Sequence, residues 1–399
     1  MSEHRHVAAG GAAWQVVCAA ARPSPSPSDR ARLIEACGRT PSWASVLMLS
    51  DWHRVTPLVH TSLRHLPAGL VPPPVLDTLA DSFTRTVART LRMAAGCQRI
   101  ILRLEDAGLS PVTFKGPTLA LTAYRSLALR PFDDVDIIVS RETVGRAIEV
   151  LESAGLRPSL ALTRAQAEAA FTAGRGLPYL DHGQGIALDL HAYLAPRYLP
   201  FEMDHERLGG HVHEIDLLGR KVRTLAPEML LTALCVHGTK HSWMRLSWVS
   251  DIAAILSVPG LVDWPKAHRL AEHHRVARML RLGLLLAERL LDAPLPGDLQ
   301  PGLEADSTAV RLAARAAARY ERPLASRWSG LDAALFSLQA IEGVRDRVRF
   351  VGRVAEPSVG DWQTRELPAA LGFVHYPLRV LRLVTRGIGT GRPDSPPVS

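Results

Sequence analysis

Hydrophobic positions change their period twice along the chain. Over 29–107 they recur every three or four residues, the spacing of helices, most regularly in the stretch 75–107 that follows the break at Pro72-Pro73-Pro74. Between 111 and 224 short β-branched or apolar runs alternate with helical ones. That spacing predicts strands at 111–114, 134–139 and 186–191, and helices at 117–127, 141–154 and 164–171. Two alternating runs, 211–217 and 221–224, flank Gly219-Arg220 and read as a hairpin. From 227 onward the helical period returns, with helices expected at 229–240, 246–256, 264–291 and 305–319, one or two within 331–356, and a last one at 368–386.

Punctuation sharpens these limits. Ser140 suits the N-cap of 141–154 and Gly155 its C-terminal stop. Asp29 and either Ser50 or Asp51 are candidate caps of earlier helices. The run RPSPSPS at 22–28 reads as a mobile loop after a first helix at 7–21, and the Gly/Pro-rich end, 388–399, as a disordered tail. The expected fold class is α+β, a mixed sheet between helical regions, because the closing hairpin argues against a purely parallel sheet. The organisation follows as a helical N-terminal region at 1–107, a central sheet-bearing unit at 108–225 and a helical C-terminal domain at 226–387.

Composition narrows the class. The 399 residues carry a formal charge of +8, which invites a nucleic-acid partner. The excess is arginine scattered along the chain, without a basic block interleaved with aromatics, so nucleic acid is not the expected partner. Cys18, Cys37, Cys97 and Cys235 show no metal or disulfide spacing, which points to a reduced, cytoplasmic compartment. No uncharged apolar run is long enough for a spanning helix, and 7–21 lacks the basic start of a signal peptide. Phosphate-loop, dinucleotide and serine-hydrolase motifs are absent.

The chemistry concentrates in PVTFKGPTLALTAYRSLALRPFDDVDIIV, 111–139. On a strand Asp134 and Asp136 point to the same face, and adjacent carboxylates repel unless a positive charge lies between them. Such a pair suits Mg2+, which takes one or two carboxylates and leaves other positions to water and phosphate. Lys115 is one of only four lysines, where the chain otherwise uses arginine, and a compact ammonium in a Lys-Gly turn suits a phosphate contact. Gly116 permits close approach of a ligand, and Pro117 presets a helix N-terminus that favours anions.

The pattern Phe114-Lys115-Gly116, Tyr124, Arg130-Pro131 and Asp134-Val135-Asp136 resembles the nucleotidyltransferase superfamily with its polymerase β-like fold. In particular it resembles an uncharacterised bacterial branch with Leu/Phe-Lys-Gly in place of Gly-Ser. Asp51 to Leu58, His237 to Asp251 and Tyr376 to Arg379 resemble its flanking helices, so the likeness runs from about Trp14 to about Arg386. Phe132-Asp133 departs from a Gly-bearing pair. The resemblance implies a third acid at Asp189, in GIALDLH, with Asp134, Asp136 and Asp189 catalytic and holding two Mg2+ ions. It also implies an NTP, ATP by preference, with Lys115, Gly116 and Arg130 on its phosphates. Arg130 could instead brace Asp133. The implied activity is transfer of NMP to a hydroxyl of a small-molecule or peptide acceptor. A non-catalytic or antitoxin-like protein that binds a nucleotide or partner is the alternative.

Several histidines stay open. His191 shares a strand face with Asp189 and could contact substrate or hydrogen-bond an acid. His237 and His241, four apart on a helix with Lys240 between, could pack on the sheet, line the nucleotide or acceptor cleft, or bind zinc; no Glu supplies a metalloprotease base. His211 and His213 share a strand face without an evident third ligand. His273-His274 read as helix surface, Asp251 as a helix anchor paired with Arg245, and Trp43, Trp52 and His53 as helix packing.

Overall fold

The computed structural model describes residues 11–39, 41–296, 299–320 and 330–355. The helix expected at 368–386, the tail at 388–399 and the flank at Tyr376 lie outside them. Among the described residues the fold is α+β, with a single seven-stranded mixed sheet. Its strands are β1 (Val112–Thr113), β2 (Val135–Ile138), β3 (Arg157–Pro158), β4 (Leu177–Asp181), β5 (Ile186–His191), β6 (Val212–Leu217) and β7 (Arg220–Leu225). They lie in the order β3-β4-β5-β2-β1-β7-β6. β2 runs parallel to β5 and β1 parallel to β7, and the other neighbours are antiparallel.

Burial follows position in the sheet. All four residues of central β2 are buried, as for a strand covered on both faces. In β5 Ile186, Leu188 and Leu190 are buried while Ala187, Asp189 and His191 are half-buried, so the pleat sorts an apolar face from a chemical one. The apolar face joins Met93, Cys97 and Ile101 of the long helix Pro73–Asp106 and Ile148 and Leu151 of the helix Val144–Ser153 in one core. A second core mixes N-terminal helices with C-terminal ones: Trp14, Val46 and Val59 share it with Leu234, Ile252 and Leu285. Residues far apart in sequence therefore close one apolar interior around the sheet-bearing segment.

Several limits differ from expectation for local reasons. Ser26, not Asp29, caps the helix Pro27–Gly38; Asp29 at the third position returns the bond to the Ser26 amide, completing a capping box. Arg22, the first residue of the Pro/Ser loop, is paired with Asp29 and, at 2.6 Å, with Asp292. Ser42 caps Trp43–Trp52, while Thr56–Leu63 starts at Val55 without a side-chain cap, so neither Ser50 nor Asp51 serves as one. The run 264–291 is two helices, Trp264–His273 and Ala277–Leu291, because Arg275 turns to a φ of 57° between them. The hairpin turn is Leu218-Gly219, one residue earlier than expected, with both φ values positive (54° and 82°), the geometry that continues strand twist across a two-residue loop. β3 and β4 were not anticipated: one has two residues and the other carries Pro178.

Candidate functional site

β1 ends at Thr113 and delivers Phe114, Lys115 and Gly116 onto the helix Gly116–Tyr124, with Pro117 in its first turn. Gly116 has a φ of 48°, and a Cβ there would sit 3.3 Å from the Asp134 carbonyl oxygen, so a residue without a side chain lets the turn close against the start of β2. The antiparallel pairing of Thr113 with Ile137 sets Lys115 beside Asp136. The parallel pairing of β2 with β5 puts Asp136 directly opposite Asp189, and Ile138 opposite His191.

The side chains converge accordingly. Asp136, 4% exposed, accepts from the Lys115 ammonium at 3.3 Å and lies 3.0 Å from His191 Nε2 at the same oxygen. Ligand atoms of Asp136, Asp189 and His191 all lie within 4.8 Å of one another. Asp134, half-buried, immediately precedes β2. Lys115 also lies over the Phe114 ring, 4.9 Å from its centroid.

Electrostatics divides the two opposed acids. Burial alone would raise the Asp136 carboxyl, but the Lys115 ammonium and the His191 hydrogen bond outweigh it and hold the group below the usual carboxylate range. Asp189 is pushed up to about 7: burial raises it, His191 pulls it down, and the charges of Asp136 and Asp134 raise it further. Two opposed carboxyl groups, one of them raised by burial and by its neighbours' charges, form with the half-buried imidazole a donor set that fits a hard divalent cation. Asp136, Asp189 and His191 could hold it, and the Asp134 charge acts on Asp189 beside them.

The remaining candidates separate. Arg130 does not brace Asp133, which pairs with Arg54 and Arg89. Its guanidinium forks onto Asp251, with Nε donating to Oδ1 at 2.8 Å and Nη2 to Oδ2 at 3.0 Å, and Nη1 reaches the Gly116 carbonyl at 3.4 Å. Tyr124 Oη donates to the same carboxylate at 2.8 Å. Asp251 is thus a helix anchor, but to Arg130 rather than Arg245, which bonds the Trp52 carbonyl. At the end of the helix Pro227–Lys240, His237 and His241 pack in tilted contact, centroids 4.7 Å apart, beside Trp248 of the helix Leu246–Leu256. Burial, then the Lys115 ammonium, lowers Lys240 to about 8, with the Asp136 and Asp189 carboxylates opposing. His211 and His213 join no metal group among the described residues. His274 packs on Phe201, with centroids 5.3 Å apart, rather than lying solvated. It borders a cavity of about 640 Å³ that also takes in Glu202, Arg207, Lys266 and Arg269 but not Asp134, Asp136 or Asp189.

The family model described as uncharacterised nucleotidyltransferase matches residues 40–292. The chain belongs to that family. The matched span contains every site residue above, from the Lys-Gly turn to Asp251, so the nucleotidyltransferase assignment and the convergence of acids fall on the same segment. No curated protein matches. Among solved structures, an antigenic nucleotidyltransferase-like protein from Paracoccidioides brasiliensis is similar, at 13% identity over 54% of this chain and 93% of its own, with a TM-score of 0.31. Among the described residues of this nucleotidyltransferase no helix is long and apolar enough to cross a membrane, and all four cysteines are free thiols.

Sequence reasoning did not foresee Trp248 as the ring that packs on His237 and His241. Its only signal was its place seven residues beyond His241 and three before Asp251, which on a helix puts it on the Asp251 face.

Proposed function

We propose that this nucleotidyltransferase transfers a nucleoside monophosphate from an NTP, ATP by preference, to a hydroxyl of a small-molecule or peptide acceptor with Mg2+ as cofactor. The catalytic unit is 108–225, flanked by helical regions at 1–107 and 226–387, and the reaction is cytoplasmic. One observation carries the reading: Asp136 and Asp189 stand opposite each other on adjacent parallel strands with the Lys115 ammonium against the pair.

Asp134, Asp136 and Asp189 would hold two Mg2+ ions, which supply charge neutralisation across the reacting phosphate. The rest falls to the chain. Lys115 and the Gly116 amide bind the β- and γ-phosphates, where a helix N-terminus favours anions. Asp189 accepts the proton of the acceptor hydroxyl. The acceptor oxygen then bonds to the α-phosphorus while the bond to the bridging oxygen breaks, and pyrophosphate leaves. His191 orients Asp136 through its hydrogen bond. Arg130 supports the turn from behind, through the Gly116 carbonyl.

The test is Asp136→Asn. The variant should keep the circular dichroism of the parent and lose Mg-dependent NTP turnover, read as pyrophosphate release; undiminished turnover would remove the reading. The non-catalytic, antitoxin-like alternative is separated by titrating ATP calorimetrically with and without Mg2+ and weighing the products: tight binding with no covalent product in any metabolite extract would favour it.

A further inference from the structure

Within the electrostatic reach of Lys115 lies a cluster that phosphate chemistry does not use. His237 and His241 are four residues apart, hence on one helix face, and with Trp248 they form three mutual ring contacts, at centroid distances of 4.7, 5.5 and 5.2 Å. All three are half-buried. Among the described residues none of their ring nitrogens hydrogen-bonds to protein, so the polar edges remain available to a ligand.

The cluster is fixed relative to the turn by the Arg130 fork. Arg130 binds the Gly116 carbonyl on one side and Asp251 on the other, and Asp251 lies one helical turn from Trp248 on the same face. The rings are also in the field of the phosphate-binding cation: burial first, then Lys115, lowers His237, and burial, Lys240 and Lys115 bring His241 down to about 3. Both imidazoles are therefore neutral.

That combination selects among ligands. Zinc lacks a third protein donor, since the one metal-type group among the described residues is Asp136, Asp189 and His191. A cationic guest would meet Lys115 and Lys240. A flat, neutral heteroaromatic ring with polar edges matches a half-buried indole and two half-buried neutral imidazoles. We propose that Trp248, His237 and His241 form the base-recognition subsite, in which the nucleobase stacks on the indole and hydrogen-bonds to the imidazoles while its phosphates lie on Lys115. The inference rests on the transferase reading and adds which residues hold the base.

The full-length protein is titrated calorimetrically with MgATP and, separately, with magnesium tripolyphosphate. Base stacking on an aromatic side chain predicts that Trp248→Ala weakens ATP roughly 5- to 150-fold and leaves tripolyphosphate within twofold. Trp248→Phe, which keeps a stacking face and guards against misfolding, should retain most ATP affinity. His241→Ala should narrow the spread of affinities among ATP, GTP, CTP and UTP. Unchanged ATP affinity in Trp248→Ala, or equal loss for both ligands, overturns the subsite. A parent protein that binds ATP no better than tripolyphosphate overturns it while the transferase reading stands; a parent that binds neither removes both.

Discussion

Removing the carboxylate at 251 tests how the site is held. Asp251 is 2% exposed and takes three hydrogen bonds, two from the Arg130 fork and one from Tyr124 Oη. Asp251→Ala leaves the Arg130 guanidinium, only 12% exposed, without its counter-charge. Breaking a buried pair from one side costs about 3–5 kcal/mol, because the remaining charge is still desolvated. The orphaned Tyr124 hydroxyl contributes within that figure, since an unmet buried donor alone costs about 1–3 kcal/mol. Domains of ordinary stability hold about 5–15 kcal/mol in total, so the loss is large.

Urea unfolding followed by circular dichroism measures it. Asp251→Ala should lose about 3–5 kcal/mol, and Arg130→Lys should recover little of the fork, since a single ammonium cannot make two parallel bonds to one carboxylate. The double variant Arg130→Met/Asp251→Leu should be more stable than Asp251→Ala, because apolar replacement removes both desolvated charges together. A loss below about 1 kcal/mol in Asp251→Ala, or a double variant no better than the single, would refute the view that this pair is a buried strut.

Three further outcomes follow from the same geometry. Lys115→Ala should weaken MgATP by tenfold or more and adenosine little, measured by calorimetry; equal effects would deny the ammonium its phosphate role. Gly116→Ala combines a left-handed φ of 48° with a Cβ 3.3 Å from the Asp134 carbonyl, so it should cost about 1–2 kcal/mol in urea and weaken MgATP as well. His53, 1% exposed, has its imidazole lowered to about 4 by burial, partly offset by its bond to the Tyr320 carbonyl. Its folded pKa lies below the ordinary value of 6.5, so between the two the unfolded chain binds the extra proton. Stability should therefore fall as pH drops from about 6.5 to about 4, by about 3 kcal/mol at about 1.4 kcal/mol per pH unit, and His53→Phe should flatten that slope.

The hydrophobic period carried most of the element types, because long helices such as Pro73–Asp106 and buried strands such as β2 repeat their pattern over many residues. It failed where the deciding interaction is non-local. β3 is two residues long and exists because it pairs with β4, while Pro178 in β4 argues against a strand by propensity alone. Ser26 displaced Asp29 as cap because both residues of the capping box are good caps, and only geometry says which takes the N-cap role. The break at Arg275 has neither Gly nor Pro to announce it.

In the site, residues of one local motif were legible and their partners across the fold were not. The Lys-Gly turn and the Asp-x-Asp pair lie within 22 residues of one another, so their chemistry showed in the sequence. The opposition of Asp136 to Asp189 depends on the strand order β5-β2-β1, and no spacing between 136 and 189 encodes that. Arg130 shows the same limit from the other side. A conspicuous cation beside two acids invites a phosphate role, yet its fork is claimed by Asp251, 121 residues onward. Lys115 stays half-buried and meets only one Asp136 oxygen, at 3.3 Å, longer than a strong charge-assisted bond. An ammonium held that loosely between a carboxylate pair and a helix N-terminus can turn towards an incoming anion at small cost, whereas a guanidinium forked onto Asp251 cannot. On the proposed reading the two cations of the motif divide the work, Lys115 meeting the ligand while Arg130 braces the scaffold through Asp251 and the Gly116 carbonyl.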